Sequence, residues 1–390
     1  MKIKSTTPTR IGKLGVTVIS LCALATQVVG ATAAGAEPST GSLGSVGSVG
    51  GSLANSGSLG SVGGSLETMG SFDFGSAMPE VFQNDPGPIP TLRDDIVISE
   101  IKGENVTGAQ SLRLTVASPA LRREVGVEIL LPQDASVPRP ALYMLEGVDA
   151  GEDTSGWMTI GGAPAFFADK NVNVVMINGG VAGLYTDWDN VDPKVGLHKW
   201  ETFITQELPP LINTRFNTNG INAIAGNSMG AQGAMMLAHR HPEMYRGVAV
   251  FSGCYSTMDL WGRASTQATV TSRGGDLNNV WGEPGGPEWK AHDSLLNAEN
   301  LRGKEIYVST ANGLPGFAET AQTPELLERL VVGGGIEAVT NQCTQEFDQR
   351  LQDLDIAATV DYEPNGTHSW AYWRERFHKA WPTLSKALGV

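Results

Sequence analysis

Ser228 stands at the centre of Gly226-Asn227-Ser228-Met229-Gly230, between the apolar run Ile221–Ala225 and the helix-forming run Ala231–Arg240. A strand, a G-x-S-x-G and a helix in that order form the context of a nucleophile elbow. The need for glycine is steric: a sharp turn that throws the hydroxyl out above a sheet brings backbone segments together, and side chains at 226 and 230 would collide. The adjacent helix N-terminus favours developing negative charge. A serine hydroxyl is a weak nucleophile near neutral pH and needs a base, usually histidine. In the sheet architecture that carries such an elbow the chain order is Ser, acid, His, with the base on a loop after the last strand. Of six histidines, His368 has that place: it follows the strand-like Ala357–Tyr362 and precedes the terminal helix. His239 and His241 end the helix after the elbow, where capping is expected. His378 is expected on the surface of the last helix, and His198 and His292 lack the topological position. For the acid, the loop Thr310–Gly316 after the strand-like Glu305–Ser309 holds no carboxylate. Glu319, Glu325 and Glu328 are the candidates, followed by Asp348, Asp353 and Asp355.

These groups need a scaffold. Short apolar runs at Val125–Leu131, Ala141–Leu145, Val172–Ile177, Ile221–Ala225, Gly247–Phe251, Glu305–Ser309 and Ala357–Tyr362 alternate with helix-length stretches such as Trp200–Phe216 and Ala231–Arg240. That alternation predicts an α/β domain, a mainly parallel sheet with helices on both faces. The domain is expected over residues 87–390. Ser256–Asn297, rich in Gly and Trp and without clear periodicity, is expected as an insertion over the active-site end of the sheet. Residues 37–86 are built largely of Gly-Ser-Leu-Gly-Ser-Val-like units that cannot bury enough apolar surface to offset the entropy of ordering, so they read as a flexible tether.

Residues 1–36 carry Lys2, Lys4, Arg10 and Lys13 but no acid, then an apolar stretch and Ala34-Gly35-Ala36, the layout of a secretory signal peptide. The exported chain is expected to have no transmembrane segment. The net charge is −14, and without the four leader cations 23 basic residues face 41 acidic ones, a balance that makes nucleic acid a poor partner. Cys22 lies in the leader, leaving Cys254 and Cys343 as a candidate disulfide in an exported protein. No His/Cys cluster has ligand spacing and no phosphate-binding glycine loop ends a strand, so no metal or cofactor is expected.

Several segments resemble the secreted mycolyltransferases of mycolic-acid bacteria, the antigen 85 group and its corynebacterial relatives, which share the α/β-hydrolase fold. They are Ala141–Gly147, Lys199–Pro209 with its Lys-Trp-Glu-Thr-Phe, the elbow, Trp281-Gly-Glu-Pro with Trp289 and Asp293–Asn297, and Asn365–Trp370 with Tyr372-Trp373. The resemblance spans about residues 110 to 388. It implies an acid directly after two apolar residues upstream of the Gly-Thr-His-Ser-Trp loop, which favours Glu328 after Leu326-Leu327, with an apparent insertion around Val332–Thr344. It implies an oxyanion hole of the backbone N–H groups of Met229 and Val148. Glu146, Ser369 and Trp370 become candidate substrate contacts, although Trp200, Trp281, Trp289 and Trp370 could equally fill core space. Asp149 stands where the family has an arginine. The implied activity is transfer of a mycolyl group from trehalose monomycolate to a sugar hydroxyl, on another trehalose ester or on cell-wall arabinan, through a serine acyl-enzyme. A carboxylesterase using water as acceptor, and a cell-wall or host-matrix binding protein, are the alternatives.

Overall fold

The computed structural model describes residues 85–390; the leader, and the Gly/Ser segment but for its last two residues, lie outside the described residues. Nine strands form one sheet: β1 (Glu100–Gly108), β2 (Ser111–Ser118), β3 (Arg123–Leu130), β4 (Arg139–Leu145), β5 (Asn173–Ile177), β6 (Thr218–Asn227), β7 (Gly247–Phe251), β8 (Glu305–Ala311) and β9 (Thr359–Glu363). Their order is β1-β2-β3-β5-β4-β6-β7-β8-β9. From β5 to β9 all neighbours are parallel, and β1 to β3 form an antiparallel flank that joins β5. β5 and β7 are buried at every residue, as continuous apolar runs covered on both faces should be.

β1 and β2 were not expected from the sequence. In β2 the buried Leu112, Leu114 and Val116 alternate with partly exposed Ser111, Arg113 and Thr115, the period of a half-buried strand. β1 is an edge strand carrying Glu100, Lys102 and Glu104, charges that discourage edge-to-edge pairing.

The five longer helices are α1 (Leu208–Phe216), α2 (Met229–Arg240), α3 (Leu260–Thr271), α4 (Gly334–Asp353) and α5 (Trp370–Leu388). One face of the sheet is closed by a core that includes Phe203, Ile212, Ala234 and Met235, the other by Trp157, Phe167, Phe377 and Leu384. The expected helix Trp200–Phe216 contains a π turn at Phe203–Glu207. Pro209 and Pro210 have no N–H to donate to residues 205 and 206, and the wider turn, closed by Leu208 N on the Phe203 carbonyl, accommodates that loss without a break. The segment 256–297 is more regular than expected: it holds α3 and the short helices Asn278–Trp281 and Pro287–Ala291. Asp259 caps α3 by accepting from Gly262 N at 2.7 Å, and buried Asp293 accepts from Ser256 Oγ and from the N–H groups of Thr257 and Met258. Trp281 and Trp289 pack edge to face at 5.4 Å and fill that layer. Among the described residues no helix is long and apolar enough to cross a membrane.

Candidate active site

Ser228 joins β6 to α2 with φ 54° and ψ −122°, a conformation outside the regions that L residues ordinarily occupy. Its N–H donates to the Phe251 carbonyl at 2.9 Å, which fastens the turn to the neighbouring β7. A Cβ on Gly226 would lie 2.1 Å from the Gly230 carbonyl oxygen, and one on Gly230 would lie 2.4 Å from the Glu146 carbonyl oxygen. Close backbone approach, rather than left-handed φ, is therefore what demands glycine at both positions. Met229 opens α2, so its N–H has no acceptor within the helix. Gly147 lies on the serine, its missing Cβ 3.4 Å from Ser228 Cβ, and Val148 is the next residue in the chain.

His368 lies on the loop between β9 and α5. Its Nε2 is 2.7 Å from Ser228 Oγ and its Nδ1 is 2.8 Å from Glu337 Oε2. The loop is held by His368 N donating to the Gly333 carbonyl at 3.1 Å, and Trp373 meets the imidazole edge to face at 4.9 Å. Both side chains of the His368–Glu337 pair are shielded, 9% and 2% exposed.

The acid is a correction. Glu328 is exposed on the short turn Leu326–Glu328, and the Leu327 that precedes it is 73% exposed, so Leu326-Leu327 is no core pair. The helix that packs on β8 begins six residues beyond Glu328, at Gly334, inside the stretch read as an insertion, and it presents Glu337 from its first turn. Glu337 Oε1 accepts from Ala311 N at 2.7 Å, Ser252 Oγ at 2.8 Å and Thr310 Oγ1 at 3.2 Å, leaving Oε2 for the imidazole. Ser252, Thr310 and Ala311 were not foreseen as part of the site. A signal for Glu337 was present: α4 buries Glu337, Thr340, Thr344, Phe347 and Leu351, a stripe at helical spacing in which Glu337 is the one carboxylate. The Gly333-Gly334-Gly335 entrance conceals it, since glycines do not announce a helix start.

The other candidate carboxylates do other work. Glu319 accepts from Gly316 N, Thr367 Oγ1 and Tyr372 Oη, bracing the loop before His368; these bonds outweigh its partial burial and hold its carboxyl below the usual range. Glu325 and Asp355 sit at positive φ in turns, and Asp348 accepts from Tyr362 Oη. Glu146 is turned into the protein, accepting from Ser155 Oγ and Trp157 N, and burial raises its pKa. Ser369 precedes α5 with its hydroxyl buried and unpaired. Trp370 packs edge to face on Trp157 at 5.1 Å and occupies the space over Gly156. Arg273 of the segment 256–297 pairs with exposed Asp149 on the loop after β4.

The remaining histidines lie away from Ser228. His198 and His239 are buried, and burial pushes each imidazole down to about 3. His241 bonds Glu201 at 2.8 Å beside Arg240, with His292 at 3.7 Å. Burial alone would raise the Glu201 pKa, but these donors hold it well below the usual carboxylate range. His378 stacks on Phe166. Cys254 and Cys343 are joined by a disulfide, with Cα atoms 5.0 Å apart.

Residues 118–384 match the family described as putative esterase. The sequence is 31% identical over 293 residues to diacylglycerol acyltransferase/mycolyltransferase Ag85A of Mycobacterium leprae, covering 71% of this chain and 83% of the relative. It is 30% identical to Ag85B of Mycolicibacterium smegmatis, covering 71% and 85%. In structure it is similar to MPT51 of Mycobacterium tuberculosis, with TM-score 0.61 and 25% identity over 72% of this chain and all of the other. An S-formylglutathione hydrolase of Agrobacterium tumefaciens, 18% identical with TM-score 0.54 over 74% and 99% of the two chains, shares the fold.

Proposed function

The chain belongs to the esterase family and, within it, to the antigen 85 diacylglycerol acyltransferases/mycolyltransferases, and from that membership we propose that it transfers a mycolyl group from trehalose monomycolate to a sugar hydroxyl. The observation that carries the chemistry is the continuous chain Ser228 Oγ, His368, Glu337, with links of 2.7 and 2.8 Å.

His368 Nε2 takes the hydroxyl proton as Ser228 Oγ attacks the ester carbonyl. The oxygen of the tetrahedral intermediate is received by the N–H groups of Met229 and Val148, each worth roughly 3–4 kcal/mol to the barrier. Glu337 fixes the tautomer by accepting from Nδ1–H and stabilises the imidazolium that forms. Its three other donors keep the carboxylate in place. The imidazolium then gives its proton to the departing sugar oxygen, leaving the acyl group on Ser228. A second sugar hydroxyl, on trehalose monomycolate or on arabinan, loses its proton to His368, attacks the acyl-enzyme and frees the serine.

The chain acts outside the cytoplasm on this reading, supported by the leader-like residues 1–36 and by a disulfide, which persists in oxidising compartments. The test is to incubate the purified protein and its Ser228→Ala variant with trehalose monomycolate and identify products by mass. Serine-dependent trehalose dimycolate and free trehalose are expected. Free mycolate alone would make it a hydrolase, and absence of turnover would remove the donor assignment.

A further inference from the structure

Glu337 sits at the weakest end of its helix. α4 is entered through Gly333-Gly334-Gly335 after the π turn Arg329–Gly333, and a Cβ on Gly335 would meet nothing within 4 Å. Glycines lose the most backbone freedom on joining a helix and offer no side chain to pack, so this first turn is held by polar and backbone contacts, the donors to Glu337 and the close approach of Gly334 to Gly313, rather than by apolar side chains. Six residues further along the same helix, roughly 9 Å down its axis, stands Cys343. Its disulfide partner Cys254 follows β7 by three residues. That strand end carries the groups the acid depends on: Phe251, whose carbonyl holds Ser228 N, and Ser252, whose hydroxyl donates to Glu337 Oε1. Ser252 is held at φ 56°, with its N–H on the Ser309 carbonyl and its Oγ receiving Trp373 Nε1 at 3.1 Å. Two segments 89 residues apart, one presenting the acid and the other bracing both serine and acid, are thus joined by a covalent bond just behind the hydrogen bonds that align them.

We propose that Cys254 and Cys343 are positioning residues for acyl transfer: their disulfide sets the register of α4 against β7 so that Glu337 Oε2 reaches His368. The proposal rests on the serine acyl-transfer reading. Neither sulfur touches the reacting atoms; without the bond the helix keeps only non-covalent links to the strand ends, the hydrogen bonds to Glu337 and Asn341 Nδ2 on the Ala311 carbonyl at 3.0 Å, with Tyr255 on Phe347 at 4.7 Å further down.

The experiment is a double-mutant cycle on turnover of a p-nitrophenyl acyl ester, well below the unfolding temperature, with circular dichroism verifying the fold. Ser228-dependent turnover by the oxidised parent establishes the underlying reading first; without it that reading fails before the cycle begins. The Cys254→Ala/Cys343→Ala protein is expected to lose roughly tenfold or more in kcat with KM within about twofold. In a Glu337→Gln background the same pair of changes is expected to alter kcat by less than about twofold, because the acid has already been removed from the reaction. Equal losses in both backgrounds, or no loss in the parent, would overturn the proposal and leave the bond a purely structural link. Should the alanine protein not fold, the folded parent is reduced with dithiothreitol, which breaks the S–S bond with two electrons and two protons and is itself oxidised to its cyclic disulfide. Activity should then fall and return on reoxidation, and undiminished kcat in the fully reduced enzyme would equally overturn the proposal.

Discussion

Glu337→Gln keeps the size of the side chain but puts an amide where a carboxylate accepts four hydrogen bonds, one of them from His368. We expect kcat on a p-nitrophenyl ester to fall about a hundredfold to ten-thousandfold, while Glu328→Gln on its exposed turn stays within about twofold of the parent. Ser228→Ala and His368→Gln should cost more, roughly ten-thousandfold to a millionfold, with circular dichroism unchanged. Reversed behaviour of the two glutamate variants would return the acid to Glu328. At this scale the sequence was legible where a residue's neighbours constrained it. Ser228 stood between a strand and a helix, and His368 followed the last strand. Glu337 had no such frame: three glycines hid the start of its helix, while Leu326-Leu327-Glu328 imitated a buried apolar pair of which Leu327 in fact faces solvent.

The elbow works only because three elements approach one another as bare backbone. A methyl group on Gly226 would enter the Gly230 carbonyl at the head of α2, and neither β6 nor α2 can retreat, since both are buried on every side at that point. Gly226→Ala is therefore expected to destabilise the fold by about 3 kcal/mol or more, seen as a lowered denaturant midpoint with unchanged slope. A midpoint equal to the parent's would mean the turn can relax. Elements were most readable where they were most apolar: β7 has the bounds expected of it and β4 to β6 differ mainly at their ends. β1, with its mixture of charge and glycine, and the π turn before Pro209 are set by edge position and by missing donors, neither of which hydrophobic periodicity reports.

The whole molecule couples its stability to pH and to oxidation. His198 and His239 are buried with pKa values near 3, well below the ordinary 6.5, so between those values the unfolded chain binds more protons than the folded one. Stability should be fully present above about pH 6.5 and decline as pH falls toward 3. Melting temperatures measured from pH 7 to 4 should drop, and a flat profile would mean these imidazoles are not held neutral. The disulfide closes a span of 89 residues and should contribute about 4–5 kcal/mol by restricting the unfolded chain, lowering the melting temperature by several degrees when reduced. Acyl transfer through Ser228 is checked by a single-turnover reaction with trehalose monomycolate, quenched in acid and followed by intact mass and peptide mapping. A mycolyl adduct is expected on the peptide containing Ser228, chased into trehalose dimycolate by further trehalose monomycolate as acceptor. An adduct elsewhere, or one discharged only to free mycolate at a rate indifferent to added acceptor, would rule out mycolyl transfer through Ser228.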